Sequence, residues 1–557
     1  MAALPGPRSA AVLAVVPIAG LLLIAALLGA WIVDDAGISF AYARNLAAGH
    51  GLVAQPGAAP VEGFSNPLWV LCCAGLEALG LFDPVVAPKL VALALVAAAL
   101  ALGARAFAPR LGPATTVAGL ALLALQPAFA IWVVSGLENG LMAALALAAA
   151  LVALRAFDAE RPPPAALLVG SAIAGLCALC RPDGLLWAIL VPAVAVTRGL
   201  RGRALLRVLG LHAAVLVPLL AGALAFRVAY FGDWVPNTFH AKGGGTAGTA
   251  LVAAGGLALV VVATAFARRR LAGRAPGPEL LAWLALLAAL LWLPRYDRLA
   301  AAFGGRAGLA LGALGLLGVA RRPQPLDPAR LVLLAATAVG ALIARALPRD
   351  WMGEWRFATA CFPFACLTLA AFVPEALRGL GRGVTTVVVV AGVAVVAVDA
   401  VGRAAAFRRS PTVPLALVRA QAQEPIERLR AALGPALASV WTPDLGAMLL
   451  WSKLRVHDLA ALCDRELALA LRRGPAAARA VVLGRGADLI VVHGSFADGL
   501  RLGADPRFAR DWWPLEDRTP EGAAEGRVDG VFLRRTLVGD DPDAPALRRA
   551  WRGDEER

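Results

Sequence analysis

Apolar runs long enough to cross a bilayer recur through residues 10–402, and arginine clusters mark every second break between them. About 20 apolar residues span the ~30 Å hydrocarbon core. Such runs lie near 10–31, 85–104, 114–133, 138–155, 165–180, 184–198, 206–228, 248–267, 278–293, 302–320, 329–347, 356–374 and 382–402. This periodicity predicts a polytopic helical membrane protein with about thirteen spans. Composition agrees: 60% of the 557 residues are hydrophobic, 16% are charged, and mean hydropathy is +0.72. Too few polar residues exist to coat the several domains that a soluble chain of this length would form. The first run is too long, and lacks the small-residue cleavage site, for a removed signal peptide.

Charge supplies the orientation. Cytoplasmic loops are enriched in Lys and Arg. Placing Arg8 inside puts Arg105/Arg110, Arg155/Arg161, Arg198/Arg201/Arg203, Arg268–Arg270, Arg321/Arg322 and Arg378/Arg382 inside as well. The opposite loops, 32–84, 134–137, 181–183, 229–247, 294–301 and 348–355, hold few cations and all three tyrosines. This parity requires segment 66–82, which is short and contains Glu77, to lie on the outer surface as an interfacial helix. The net charge of +15 then comes from membrane topology; no basic run is interleaved with aromatics as a nucleic-acid surface would require.

After residue 402 the composition changes, and over half of the acidic residues fall in little more than a quarter of the chain. Short apolar runs at 437–441, 454–459, 480–483 and 488–493 alternate with helical stretches, which predicts a small α/β domain over 403–540. Residues 541–557 read as a polar tail, and 1–402 as the membrane domain. Six of the seven cysteines lie in apolar stretches, where Cys behaves as a small hydrophobe. The Cys177/Cys180 pair has no second pair to make a zinc site, and no disulfide framework is expected.

Charged residues are costly at mid-bilayer and usually functional there. This chain gathers its polar residues at the outer ends of spans instead. That favours chemistry at the outer surface over ion translocation. Asp34 and Asp35 follow the first run directly. Adjacent carboxylates repel, so one can titrate high enough to act as a general base. They could also hold a divalent cation, Mg or Mn, between them, or simply cap a helix. Tyr42, Arg44, Glu62 and Asn66 make the same loop unusually polar. Arg181, Lys242 and Arg356 map to outer helix ends, where a guanidinium or ammonium can meet a lipid phosphate or snorkel. Asp183 either orients Arg181 or caps the next helix; Glu138 fits simple compensation of a helix N-terminus. Asn237 can bind sugar hydroxyls or serve as a turn residue. Asp444 and Asp458 shape a groove or turn the chain.

The stretch DDAGISFAYARNLAAGHGLVAQPG…VEGFSNPLW resembles the first outer loop of GT-C-type membrane glycosyltransferases, most closely the terminal arabinofuranosyltransferases of mycobacterial cell walls and related bacterial proteins. SGLEN (135–139), LCRPDGLL (179–186), YFGDWVPNTFHAK (230–242), DWMGEWRF (350–357) and TPDLGA (442–447) with VHDLAAL (456–462) continue the resemblance in order. Gly37, Ser39, Asn139 and His240 depart from its usual residues. The resemblance implies a GT-C fold and an inverting transfer. A sugar, a pentose such as arabinofuranose or a hexose, passes from a polyprenyl-phosphate donor to a cell-envelope glycan or glycolipid at the outer face of a bacterial plasma membrane. It implies Asp34 or Asp35 as base, Arg181, Lys242 and Arg356 at the donor phosphate, and Tyr42, Arg44, Glu62, Asn66, Asn237 and Asp350 at substrate. The rivals are a secondary transporter or lipid flippase, and a non-catalytic scaffold that binds envelope glycan.

Overall fold

The computed structural model describes residues 13–242, 326–347, 351–539 and 544–553, with scattered positions in 312–319. The spans expected at 248–267 and 278–293, most of that at 302–320, and Asp350 lie outside the described residues. Contacts divide the chain into two compact units. The first comprises Met1–Ala30, Pro88–Ala223 and Gly245–Thr412; the second comprises Trp31–Ala87, Leu224–Gly244 and Val413–Arg557.

The first unit is helical. Among the described residues of the chain, four helices are long and apolar enough to cross a membrane: Ala87–Leu111, Asn139–Asp158, Gly202–Phe231, whose residues from Leu224 belong to the second unit, and Gly383–Arg409. A fifth candidate, expected as one run over 114–133, is instead the pair Pro113–Ala124 and Pro127–Val133, bent by 70°. Pro127 lacks the N–H that would continue the ladder, and it restrains Gln126 away from helical geometry; Gln126 has φ −107° and ψ 87°. The run expected at 184–198 is also divided, into a 3₁₀ turn Pro182–Ile189 and helix Leu190–Thr197. Asn139–Asp158 is the most enclosed span, with Ala143, Ala146, Leu147, Ala150 and Leu154 buried along it.

In the second unit, helix Pro67–Ala78 has 12 residues. At 1.5 Å per residue that is about 18 Å, too short to span. The C-terminal segment builds a five-stranded sheet from β1 (Ser439–Thr442), β2 (Arg455–Asp458), β3 (Leu489–Val492), β4 (Trp512–Asp517) and β5 (Gly530–Arg534), in the order β2-β1-β3-β5-β4. β1 runs parallel to β2 and β3; β5 is antiparallel to β3 and β4. The apolar run at 480–483, expected as a strand, lies inside helix Pro475–Arg485. Pro at the first helical position and a run of Ala outweigh two β-branched valines there. β4 was not legible because Pro514 and the register shift between Pro514 and Glu516 break its alternation, and the sequence reading did not pick out the short run of β5. Trp441, Leu467, Val482, Ile490, Val492, Phe508 and Phe532 form the core between sheet and helices.

Two early segments fold into this second unit. Val33 bridges Pro414 in antiparallel fashion, with Asp34 N–H donating to Val413 O at 2.9 Å and Leu415 N–H to Ile32 O at 2.8 Å. Asn237 N–H donates to Glu62 O at 3.0 Å.

Candidate active site

The second unit holds the carboxylate pair. Asp34 is 5% exposed. Its Oδ2 accepts from Gly446 N–H at 2.8 Å and its Oδ1 from Ala447 N–H at 2.9 Å. These are first-turn amides of helix Leu445–Trp451, whose own preceding residue, Asp444, makes no side-chain cap bond. Asp34 therefore caps a helix more than four hundred residues away in sequence, satisfying orphan donors that its own chain neighbours leave open. The approach is close because both faces are glycine: a Cβ on Gly37 would meet Gly446 Cα at 2.6 Å, and one on Gly446 would meet Asp34 O at 1.8 Å. This gives Gly37 a packing reason. Burial pushes the Asp34 carboxyl up to about 8, the two N–H bonds oppose this, and the neighbouring charges of Asp35 and Asp444 add to it.

Asp35 is half-buried and precedes helix Ala36–Ala47 without making a side-chain cap bond to it. Both Asp34 oxygens face backbone donors, a poor arrangement for a cation held between the two carboxylates. Among the described residues no group of three or more His, Cys, Asp or Glu side chains converges as a metal site would.

The loop's other polar residues turn largely inward. Tyr42 is buried; its hydroxyl donates to Val61 O at 2.6 Å and accepts from Gly63 N–H at 3.2 Å. Asn66 accepts from Ser39 Oγ at 3.1 Å. Arg44 donates to Leu450 O at 2.6 Å and lies 3.9 Å from Glu77. Glu62 is buried and receives a bidentate pair from Arg227 at 2.6 and 3.1 Å. Burial raises its carboxyl, and Arg227 draws it back down. Arg227 escaped the sequence reading because it was absorbed into the run 206–228; a lone Arg at the outer end of an apolar run was the available signal. Asn237 donates through Nδ2 to Ala461 O and Leu462 O at 2.9 and 2.8 Å. Its buried Oδ1 has no partner among the described residues. His240 Nε2 pairs with Asp233 at 2.9 Å, and Arg465 reaches the same carboxylate at 3.0 Å. Lys242, exposed, follows helix Asn237–Ala241.

Three further motifs meet in the first unit. Arg181 and Arg356 both lie over Phe357, with guanidinium carbons 4.5 and 5.2 Å from its ring centroid. Arg181 is buried; it donates through Nε to Asp183 at 2.9 Å and through a terminal nitrogen to Glu138 at 3.1 Å. So Asp183 orients Arg181, and Glu138, beyond any helix-end effect, completes a buried ion triad. Asn139 donates to Arg356 O at 2.9 Å. Trp132 Nε1 donates to Glu354 O at 2.8 Å. These bonds hold a turn in which Gly353, Glu354 and Trp355 have φ of 73°, 43° and 55°. Two consecutive non-glycine residues in the left-handed region store strain, a condition met mainly at functional turns. A small pocket is lined by Asn139, Arg181, Asp183, Trp187, Arg356 and Phe357. Of these, all but Trp187 belong to SGLEN, LCRPDGLL and DWMGEWRF, the motifs singled out in sequence.

No protein-family model matches the chain, and no curated protein matches it in sequence. Solved structures do. The oligosaccharyltransferase of Archaeoglobus fulgidus, crystallised with a disulfide-tethered acceptor peptide containing the NVT sequon, aligns over 91% of this chain and 73% of its own, at 11% identity and a TM-score of 0.50. The same organism's oligosaccharyltransferase with Zn and sulfate aligns over 85% and 67%, at 13% identity and a TM-score of 0.49. ArnT from Cupriavidus metallidurans in the apo state aligns over 94% and 98%, at 14% identity and a TM-score of 0.42. What the alignment at a TM-score of 0.50 shows, at such identity, is a shared fold.

Proposed function

We propose that this chain is an inverting membrane glycosyltransferase. It moves a sugar, arabinofuranose or another pentose or a hexose, from a polyprenyl-phosphate donor to a hydroxyl of a cell-envelope glycan or glycolipid at the extracytoplasmic face. The observation that carries the reading is the division of labour in the carboxylate pair. Asp34 is buried and committed to two backbone amides, whereas Asp35, adjacent and half-exposed, makes no cap bond to its helix. A buried carboxylate fixed by backbone amides beside a more accessible one is what a positioning partner and its general base would show.

In the reaction, Asp35 takes the proton of an acceptor hydroxyl. The hydroxyl oxygen attacks the anomeric carbon from the face opposite the phosphate. The bond from that carbon to the phosphate oxygen breaks, and its electron pair leaves on polyprenyl phosphate. Proton removal by a placed carboxylate contributes roughly 10²–10⁴-fold. The leaving phosphate needs cations, and Arg181, Lys242 and Arg356 are assigned to it. Arg181 is oriented by two carboxylate partners, Asp183 and Glu138, and the planar forks of Arg181 and Arg356 suit a phosphate. No step is routed through a metal, because Asp34 turns both oxygens to backbone amides and no ligand set converges among the described residues.

The test uses purified full-length protein, synthetic polyprenyl-phosphate arabinofuranose and polyprenyl-phosphate hexose as donors, and a wall-type oligosaccharide acceptor. Formation of a new glycosidic bond, lost in Asp35→Asn, is the expected result. Transfer of neither sugar would overturn it. Oligosaccharide binding without turnover would then favour the scaffold, and lipid movement across vesicles without a new bond the flippase.

A further inference from the structure

The sheet of the second unit has a reversal in its strand order. From β1 the chain crosses to β2 on one side, then returns to place β3 on the other side of β1, all three parallel. In open α/β sheets ligands bind outside the carboxyl ends of the strands where the order reverses, since the helices that follow the two strands diverge and leave a crevice. Here that point lies between β1 and β3. Asp444 lies two residues beyond the end of β1, and His493 is the first residue after β3. Their side chains meet there: His493 Nε2 and Asp444 Oδ2 are 2.8 Å apart. Both remain accessible, with side-chain exposures of 41% and 25%.

The pair's chemistry narrows its ligand. With Nε2–H donating to Asp444, His493 Nδ1 and Asp444 Oδ1 have no partner among the described residues and present two polar atoms at a fixed separation. The surroundings are acidic. Asp34 accepts from Gly446, two residues past Asp444, Asp35 adjoins it, and Asp529 accepts from Gly494 N–H at 3.3 Å. Arg518 is a cation whose charge opposes them at His493. An anion would be repelled on balance, and among the described residues no third ligand converges to hold a metal. A neutral ligand carrying adjacent hydroxyls fits, since one hydroxyl can donate to the carboxylate while its neighbour bonds the imidazole.

We propose that the Asp444–His493 pair is the subsite that binds vicinal hydroxyls of the acceptor sugar. The inference rests on the glycosyltransferase reading for its ligand class, and on sheet topology and side-chain geometry for its place. It gives the C-terminal sheet a task, holding the acceptor in the same unit as Asp35.

The experiment uses the full-length protein and an octyl-capped arabinofuranosyl disaccharide as the acceptor probe. His493→Gln keeps a donor placed like Nε2, so Asp444 stays engaged, but it lacks Nδ1. His493→Ala removes both. If the pair binds acceptor, both variants should raise acceptor KM by about 3- to 10-fold, the effect of one or two hydrogen bonds to neutral hydroxyls. Donor KM and kcat should stay within twofold, and the Gln variant should unfold thermally as the wild type does. A wild-type acceptor KM in His493→Gln would show that the pair only pins two strand ends, and would overturn the inference while leaving the transferase reading intact. If the wild type transfers no sugar, saturation-transfer NMR with the same disaccharide still decides. Wild-type binding lost in His493→Gln upholds the subsite, and absence of wild-type binding overturns it.

Discussion

Replacing Asp34 and Asp35 by Asn, one at a time, should separate structure from chemistry. Asp34 uses both carboxylate oxygens, at 2.8 and 2.9 Å, for the first-turn amides of helix Leu445–Trp451. Both oxygens of the Asp34 carboxyl carry lone pairs for the two amides whether or not it is protonated, whereas Asn offers one acceptor oxygen and turns its NH₂ towards the other amide. One buried backbone N–H is then left unpaired, at a cost of about 1–3 kcal/mol. Relaxation cannot easily relieve this, because Gly446 and Gly37 already bring the two backbones together. A loss near 2 kcal/mol lowers the melting temperature of a domain of roughly 200 residues by about 4–8 °C. The deficit has a pH dependence. The Asp34 carboxyl is raised to about 8, so the wild type's stability from this group falls between about pH 4 and pH 8, whereas the Asn variant does not titrate. The difference is therefore largest in mild acid. Asp35→Asn, at a half-exposed position, should melt as the wild type does and lose turnover by roughly 10²–10⁴-fold. Thermal unfolding in detergent at pH 5.5 and 8.5, run beside the transfer assay, gives both quantities. The reasoning fails if Asp34→Asn melts with the wild type at both pH values, or if Asp35→Asn transfers sugar at the native rate.

Arg356→Lys keeps the charge but loses the bidentate fork, so donor KM should rise several-fold with the melting curve unchanged; unchanged donor kinetics in Arg356→Ala would show that the side chain only anchors its turn. Asp458 is buried at the end of β2, and burial raises its carboxyl to about 7 against the bond from Cys463 N–H at 2.6 Å. The unfolded chain releases this proton near pH 4, so stability should fall as pH rises from about 4 to 7, by on the order of 1 kcal/mol per unit. Asp458→Asn should flatten that slope in urea titrations; an unaltered slope would assign it to other groups. In a background without native cysteine, cysteines at Ala59 and Ala524 should react with an impermeant thiol reagent from outside, and one at Glu160 should not; the reverse pattern would invert the topology.

Much of the fold was legible because it depends on one-dimensional quantities. Apolar run length places Asn139–Asp158 to within three residues, since a span must match the bilayer thickness, whereas Ala87–Leu111 runs seven residues past its expected end. Alternation of short apolar runs with helical stretches placed β1, β2 and β3. It missed β5, and β4, where a bulge and a proline spoil the period. The motif residues were legible as a set, but their uses were not. Tyr42, Glu62, Asn66 and Asn237 have the composition of a binding loop, yet in three dimensions they hold Val61, Arg227, Ser39 and Ala461. Asp34 and Asp35 are indistinguishable in sequence. Tertiary structure separates them, because the amides that claim Asp34 belong to residues 446 and 447. A buried carboxylate must find its donors wherever the fold brings them, and no local pattern records a partner so distant along the chain. The pairing of Asp444 with His493 was equally hidden, since it exists only once β1 and β3 lie side by side.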